Sequence, residues 1–202
     1  GSSYQITDIK VASGHVYNGV YAGSLSGTIT GTTSVFLSFS TTYTISYNAN
    51  GGSGAPGSQT KVYGKNLTLS STVPTRSGWN FVGWNTSNTA TSAAYGKGGT
   101  YTSNSGATLY AIWSKTITLS FKSNGTTGTT VPSAITKTVY NGNSATFKIP
   151  TSTPYLDDAG KATMQFNRWI TSDYFNSTDY TTGYKPGSNI TISSDTILYG
   201  SY

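Results

Sequence analysis

The chain predicts a β-rich fold, and three observations carry that prediction. Tyrosine, threonine, serine, glycine and asparagine dominate its 202 residues, a mixture that favours pleated strands joined by tight turns. Apolar residues alternate with polar ones, as at Tyr43, Ile45 and Tyr47, which is the period of a half-buried strand. Aromatic and turn positions also recur along the chain, as expected of a repeated structural unit.

Taken in order, residues 1–42 read as a short N-terminal β segment. Strands are expected at Tyr4–Ile6, Ile9–Val11, Val16–Tyr21, Leu25–Ile29 and Ser34–Phe39. Asn18 and Gly19 form a two-residue hairpin signal between Val16-Tyr17 and Val20-Tyr21. About forty residues cannot supply a core of their own, so the segment must pack on the next unit or on a partner chain.

A first repeat spans 43–114. It opens with the Tyr43, Ile45, Tyr47 strand and turns at Asn50, Gly51 and Gly52. A hairpin is expected around Gly64 and Lys65, joining Lys61–Tyr63 to Leu67–Leu69. Pro74 ends that strand, Phe81–Trp84 forms a short buried one, and 85–99 is loop. Leu109–Trp113 closes the unit. Residues 115–202 form a second, diverged repeat. There Ile117, Leu119 and Phe121 answer the opening strand, Phe166 and Trp169 answer Phe81 and Trp84, and Leu198 and Tyr199 answer Leu109 and Tyr110. By spacing, Tyr180 answers Tyr95.

At these residues the resemblance becomes specific. Tyr47 with Asn50, Gly51 and Gly52, then Tyr63-Gly64, Leu67–Leu69, Pro74, Arg76, Gly78-Trp79, Phe81–Asn85 and Leu109–Trp113 together resemble the Listeria–Bacteroides repeat, the internalin-B-type B repeat. The second copy departs from it: Pro74–Arg76 has no clean counterpart, an insertion runs through Tyr155, Asp157, Asp158 and Gly160, and Tyr202 replaces the closing tryptophan. The resemblance implies two tandem β-grasp-like units, each a small mixed sheet around one central element. It also implies a bacterial cell-surface protein in which such repeats act as spacers or adhesive modules.

Composition narrows the chemistry. With no cysteine, cysteine-based zinc, iron–sulfur and thiol chemistry are excluded. No run of eighteen apolar residues is present, so no membrane span is expected. The net charge of +6 is unevenly spread. Residues 43–114 hold Lys61, Lys65, Arg76 and Lys97 and no acid at all. The plain reading of this basicity is solubility and chance; the sharper one is a weak attraction of the first repeat to anionic polymers, while four scattered bases make no nucleic-acid stripe.

The remaining constellations read as structure. Gly52, Gly54 and Gly57 match a dinucleotide-loop pattern, but Pro56 and a strand follow where a helix must begin. His15, the one histidine, lacks a nucleophile and an orienting acid. Asp157 and Asp158 precede Ala159 and Gly160 and read as a turn, since calcium needs six or more ordered oxygens. Asp173 and Asp179 are equally isolated. The glycosylation triplets at Asn66, Asn85, Asn124, Asn176 and Asn189 follow from an Asn- and Thr-rich composition. Trp84, Trp113 and Trp169 are expected in cores, whereas Trp79 is the tryptophan most open to solvent.

The sequence therefore predicts no catalytic, cofactor or metal residues. Its candidate ligand contacts are Trp79, Lys61, Lys65, Arg76 and Lys97. The expected role is a non-enzymatic extracellular spacer or adhesion segment, binding a protein, a glycan or an anionic polymer at the cell surface, with neither nucleic-acid binding nor membrane insertion. The alternative is a structural subunit of a phage virion or extracellular filament, self-associating through residues 4–40.

Overall fold

The computed structural model describes residues 3–5, 9–22, 26–28, 36–123, 131–152, 166–171 and 183–201. These residues are all β and irregular structure, with no helix among them and both parallel and antiparallel pairing. The chain divides into two compact units. The first holds 1–77 and 81–112; the second holds 78–80 and 113–202. Tyr180, Asp157, Asp158, Asp173, Asp179 and Tyr202 lie outside the described residues, as does the insertion from Tyr155 to Gly160.

In the first unit, strands β1 (Ser3–Gln5), β2 (His15–Ala22) and β3 (Ser26–Thr28) precede the long strand β4 (Phe36–Asn48). Strands β1 and β3 pair antiparallel. No strand forms at Ile9–Val11. Asn18 and Gly19 are not the tip of a hairpin, contrary to the sequence expectation. They lie inside β2, which runs antiparallel to β4 with register shifts after Tyr17 and after Val20. The positive φ of Gly19 serves a β-bulge as well as it would serve a turn. Strand β4 also runs unbroken through Thr41 and Thr42, so the expected boundary at residue 42 falls inside one strand.

Next come β5 (Gln59–Val62), β6 (Leu67–Thr68), β7 (Asn80–Asn85), β8 (Thr100–Tyr101) and β9 (Ala107–Lys122). β5 lies antiparallel to β4, and the start of β9 lies parallel to it, with Tyr47 beside Leu109. β7 pairs β9. The turn at Gly64 forms, with Lys65 N–H donating to the Val62 carbonyl, yet it closes no hairpin. β6 pairs with β8 instead, because Leu67 and Leu69 are drawn toward Tyr101 rather than along the main sheet. Ile45, Leu69, Trp84, Tyr101, Leu109, Ala111 and Ile112 are buried. At roughly 25 cal/mol per Å² of apolar surface, such burial is the main force holding the unit.

In the second unit, the later half of β9 is joined by β10 (Ile135–Tyr140), β11 (Ala145–Lys148), β12 (Arg168–Ile170), β13 (Asn189–Ile192) and β14 (Thr196–Ser201). β10 is antiparallel to β9, and β14 is parallel to it, with Phe121 beside Leu198. β12 pairs β14, and β11 pairs β13. Ile117, Leu119, Phe121, Val139, Phe147, Ile149, Trp169, Ile190 and Leu198 form the core. The pairing of β4 with β5 and β9, of β7 with β9 and of β6 with β8 thus recurs, whereas β1, β2 and β3 have no counterpart among the described residues.

Register identifies corresponding residues. Trp84 exchanges two backbone hydrogen bonds with Tyr95, and Trp169 exchanges two with Tyr184. Tyr184, not the expected Tyr180, therefore corresponds to Tyr95; the connection is four residues longer in the second unit. Spacing misled because loop length is free to change while the bridge is held by backbone hydrogen bonds.

Candidate functional site

The five candidate contacts do not share one environment. Lys61 lies on β5 opposite Tyr43 and is only 1 % exposed. Its Nζ donates to the Val62 carbonyl at 2.9 Å and to Asn104 Oδ1 at 2.8 Å. Asn104 Oδ1 also accepts from Gly64 N–H at 2.9 Å. A buried ammonium persists only when hydrogen-bonded, so Lys61 is a staple of the Gly64 turn. The expectation of a surface base there is corrected.

Trp79 is the least buried of the four tryptophans, as expected, yet it is half-buried and packs against the core of the second unit. Arg76 is also half-buried. Its guanidinium carbon lies 3.3 Å from where a Cβ on Gly51 would stand, so it lines the Asn50–Gly51 turn. Thr75 beside it exchanges backbone hydrogen bonds with Ser53. Lys65 and Lys97 are exposed in turns. Of the five, these two are the exposed ones.

The remaining tryptophans are core residues. Trp84, Trp113 and Trp169 are at most 1 % exposed. The Trp113 N–H donates to Asn141 Oδ1, and the Asn141 N–H donates back to the Trp113 carbonyl. Asn141 holds a positive φ of 55° to do so, a conformation asparagine tolerates better than most residues.

Buried polar chemistry in the first unit is internal. The Tyr47 hydroxyl donates to Gln59 Oε1 and accepts from the Ser70 N–H. Gln59 Oε1 accepts from the same N–H, and its Nε2 donates to the Thr68 carbonyl. Burial pushes the Tyr47 phenol above its ordinary pKa, partly offset by the Ser70 hydrogen bond. Among the described residues no cluster of three or more histidines or acids offers a metal site.

What the sequence did not reveal is an aromatic patch over two adjacent cross-strand rows. His15 and Tyr17 on β2 face Thr41 and Phe39 on β4. The Tyr17 and Phe39 rings lie 6.0 Å apart. Tyr63 N–H donates to the Thr41 carbonyl at 2.8 Å, extending the β5 ladder by one residue. Phe39 is 43 % and Tyr63 59 % exposed. No local motif signals this patch, because its members come together only through strand pairing.

The chain's first unit can now be placed. Residues 43–112 match the Listeria-Bacteroides repeat domain. This repeat is typical of bacterial surface proteins, and no helix of the described residues is long and apolar enough to cross a membrane. No curated protein and no solved structure matches the chain. The Listeria-Bacteroides match takes in β5 to β8 entirely, together with the ends of β4 and β9 that enclose the first core. It leaves out β2 and the aromatic patch's Tyr17 and Phe39.

Proposed function

We propose that this chain is a non-enzymatic segment of a bacterial surface protein, acting as a spacer or adhesion module, and that its second unit is a diverged copy of the matched repeat. The recurring aromatic corner carries the reading. Tyr47 and Trp84 have ring centroids 4.9 Å apart at 67°, and Phe121 and Trp169 have theirs 4.9 Å apart at 64°. Phe81 with Trp84, and Phe166 with Trp169, both stand at 5.1 Å. A unit used twice with its packing kept suits a scaffold better than a reaction site.

The test has two arms. Ester, peptide, glycoside and phosphate substrates should remain uncleaved; turnover of any of them would overturn the non-enzymatic part. Beads coated with the protein should attach to cell-wall or host-cell surfaces under flow. Beads that do not attach would leave the spacer role alone.

A second reading, an assembly subunit, draws on β2, which among the described residues pairs with β4 only. An open strand edge invites strand addition, but a bulge like that at Gly19 blunts such edges. Light scattering across a concentration series separates the two readings: a constant monomer mass favours the surface module.

A further inference from the structure

We infer that the aromatic patch of Tyr17, Phe39 and Tyr63, with Lys65 two residues beyond Tyr63, is a binding site for an acidic polysaccharide. The inference rests on the adhesion reading and assigns it a surface.

The geometry begins with β4. Thr42 N–H donates to the Gly14 carbonyl, while the Thr41 carbonyl accepts from Tyr63 N–H. That carbonyl and that N–H belong to one trans peptide group and point in opposite directions, so β2 and β5 flank opposite edges of β4. Paired residues share a face of the sheet. His15, Thr41 and Tyr63 therefore form one row across the three strands, and Tyr17 with Phe39 forms the next. β5 stops at Val62. Beyond Tyr63, that edge of β4 has no partner among the described residues, and the Phe39 side chain is exposed.

The chemistry selects the occupant. Two of the three rings carry hydroxyls, and exposed His15 and Thr41 add further polar atoms. Rings with an apolar face and a polar rim suit a partner of the same character, and a pyranose presents a C–H face edged by hydroxyls. The charge adds acidity to the requirement. Lys65 is exposed two residues after Tyr63, and with Lys61 buried the first unit still sets Lys10, Lys65, Arg76 and Lys97 against one acid, Asp8.

Area argues against a second protein chain. The three rings, at these exposures, present on the order of 250 Å² together, against about 800 Å² per partner in a standard protein interface.

The experiment is affinity electrophoresis of the full chain in gels containing heparin, polygalacturonate or neutral dextran. The expected result is retardation by at least one acidic polymer and none by dextran. Tyr63 is exposed in a turn, so Tyr63→Ala should leave the fold intact and weaken binding about tenfold, the scale of one lost stacking contact. Tyr63→Phe should bind like the parent, and Lys65→Gln should weaken binding and flatten its salt dependence. Val73→Ala, at an exposed site elsewhere, should change nothing. Parental binding by both Tyr63→Ala and Phe39→Ala would overturn the site while leaving the adhesion reading to the bead assay. Absence of retardation by either acidic polymer overturns the proposal, as does retardation by single-stranded DNA alone. A concentration-dependent dimer lost in Phe39→Ala would overturn it in favour of a second copy.

Discussion

In the first unit Tyr47, Gln59 and Ser70 form a small polar knot; in the second, register puts Phe121, Ile135 and Pro150 at the same three places. Tyr47 lies beside Leu109 as Phe121 lies beside Leu198. Gln59 faces Ile45 as Ile135 faces Leu119. Leu69 N–H donates to the Gly99 carbonyl as Ile149 N–H donates to that of Ser188, so Ser70 answers to Pro150. In the first unit the Ser70 N–H is the donor that both Tyr47 and Gln59 accept. Proline has no such N–H. Once the donor is gone, a hydroxyl and an amide there would be left underbonded, and both are replaced by apolar side chains. The comparison teaches that a buried polar group is kept or lost together with its partners.

A second difference follows the same logic. Lys61 and Lys137 correspond, facing Tyr43 and Ile117. Lys61 is buried on Asn104, but the position of Asn104 is taken by Ser193, two places before Asp195 in the turn to β14. Serine is too short to hold an ammonium across the same gap. Lys137 stays exposed, donates to the Thr146 carbonyl at 2.6 Å, and lies 5.5 Å over the Phe147 ring.

What the units share is the apolar corner, and breaking it should have the largest effect. Trp84→Ala and Trp169→Ala should each destabilise their own unit by about 3–5 kcal/mol, read as the shift of one transition in denaturant unfolding. A loss under about 1 kcal/mol at either site would mean that its indole is not a core residue. Neither indole N–H has a hydrogen-bond partner, so the expected loss is one of packing alone.

The lysine contrast comes next. Asn104→Ser should cost about 1.5–3 kcal/mol, the range for a hydrogen bond to a buried charge. Lys137→Met should stay within about 0.5 kcal/mol. Equal effects in thermal melts would remove the distinction between the staple and the surface lysine.

The polar knot offers a sharper test. Tyr47→Phe alone should cost about 1 kcal/mol. Combining it with Gln59→Ile and Ser70→Pro should cost less than the sum of the single changes, with a coupling of about 1 kcal/mol. Additivity in a mutant cycle would show that the three positions changed independently.

The smallest effect is a pH dependence. Burial raises the Tyr47 pKa above the ordinary 10.0. The unfolded chain then loses its phenolic proton before the folded one does. The contribution of Tyr47 is full below about pH 10 and falls as pH rises further, through the folded value. Melting temperatures of the parent and Tyr47→Phe should therefore converge as the pH rises above about 10. The second unit, with Phe121, has no matching term. A constant gap between the two curves would contradict the burial of the phenol.

The fold class, the strands at Tyr43–Tyr47, Phe81–Trp84 and Leu109–Trp113, and the matching of Trp84 with Trp169 were legible in the sequence. Alternation and aromatic spacing are local, and local pattern determines which side chains seek burial. Tertiary structure decided what those patterns could not. It made Asn18-Gly19 a bulge rather than a hairpin, since a positive φ serves either and only the neighbouring strand selects one. It sent β6 to β8, assigned Tyr184 rather than Tyr180 to the bridge, and buried the charge of Lys61 because Asn104, forty-three residues away, came within reach. It also assembled Tyr17, Phe39 and Tyr63 on one face. Each of these outcomes depends on which distant backbone supplies the hydrogen bond or the cover, and strand pairing between remote segments is the step that local sequence leaves open.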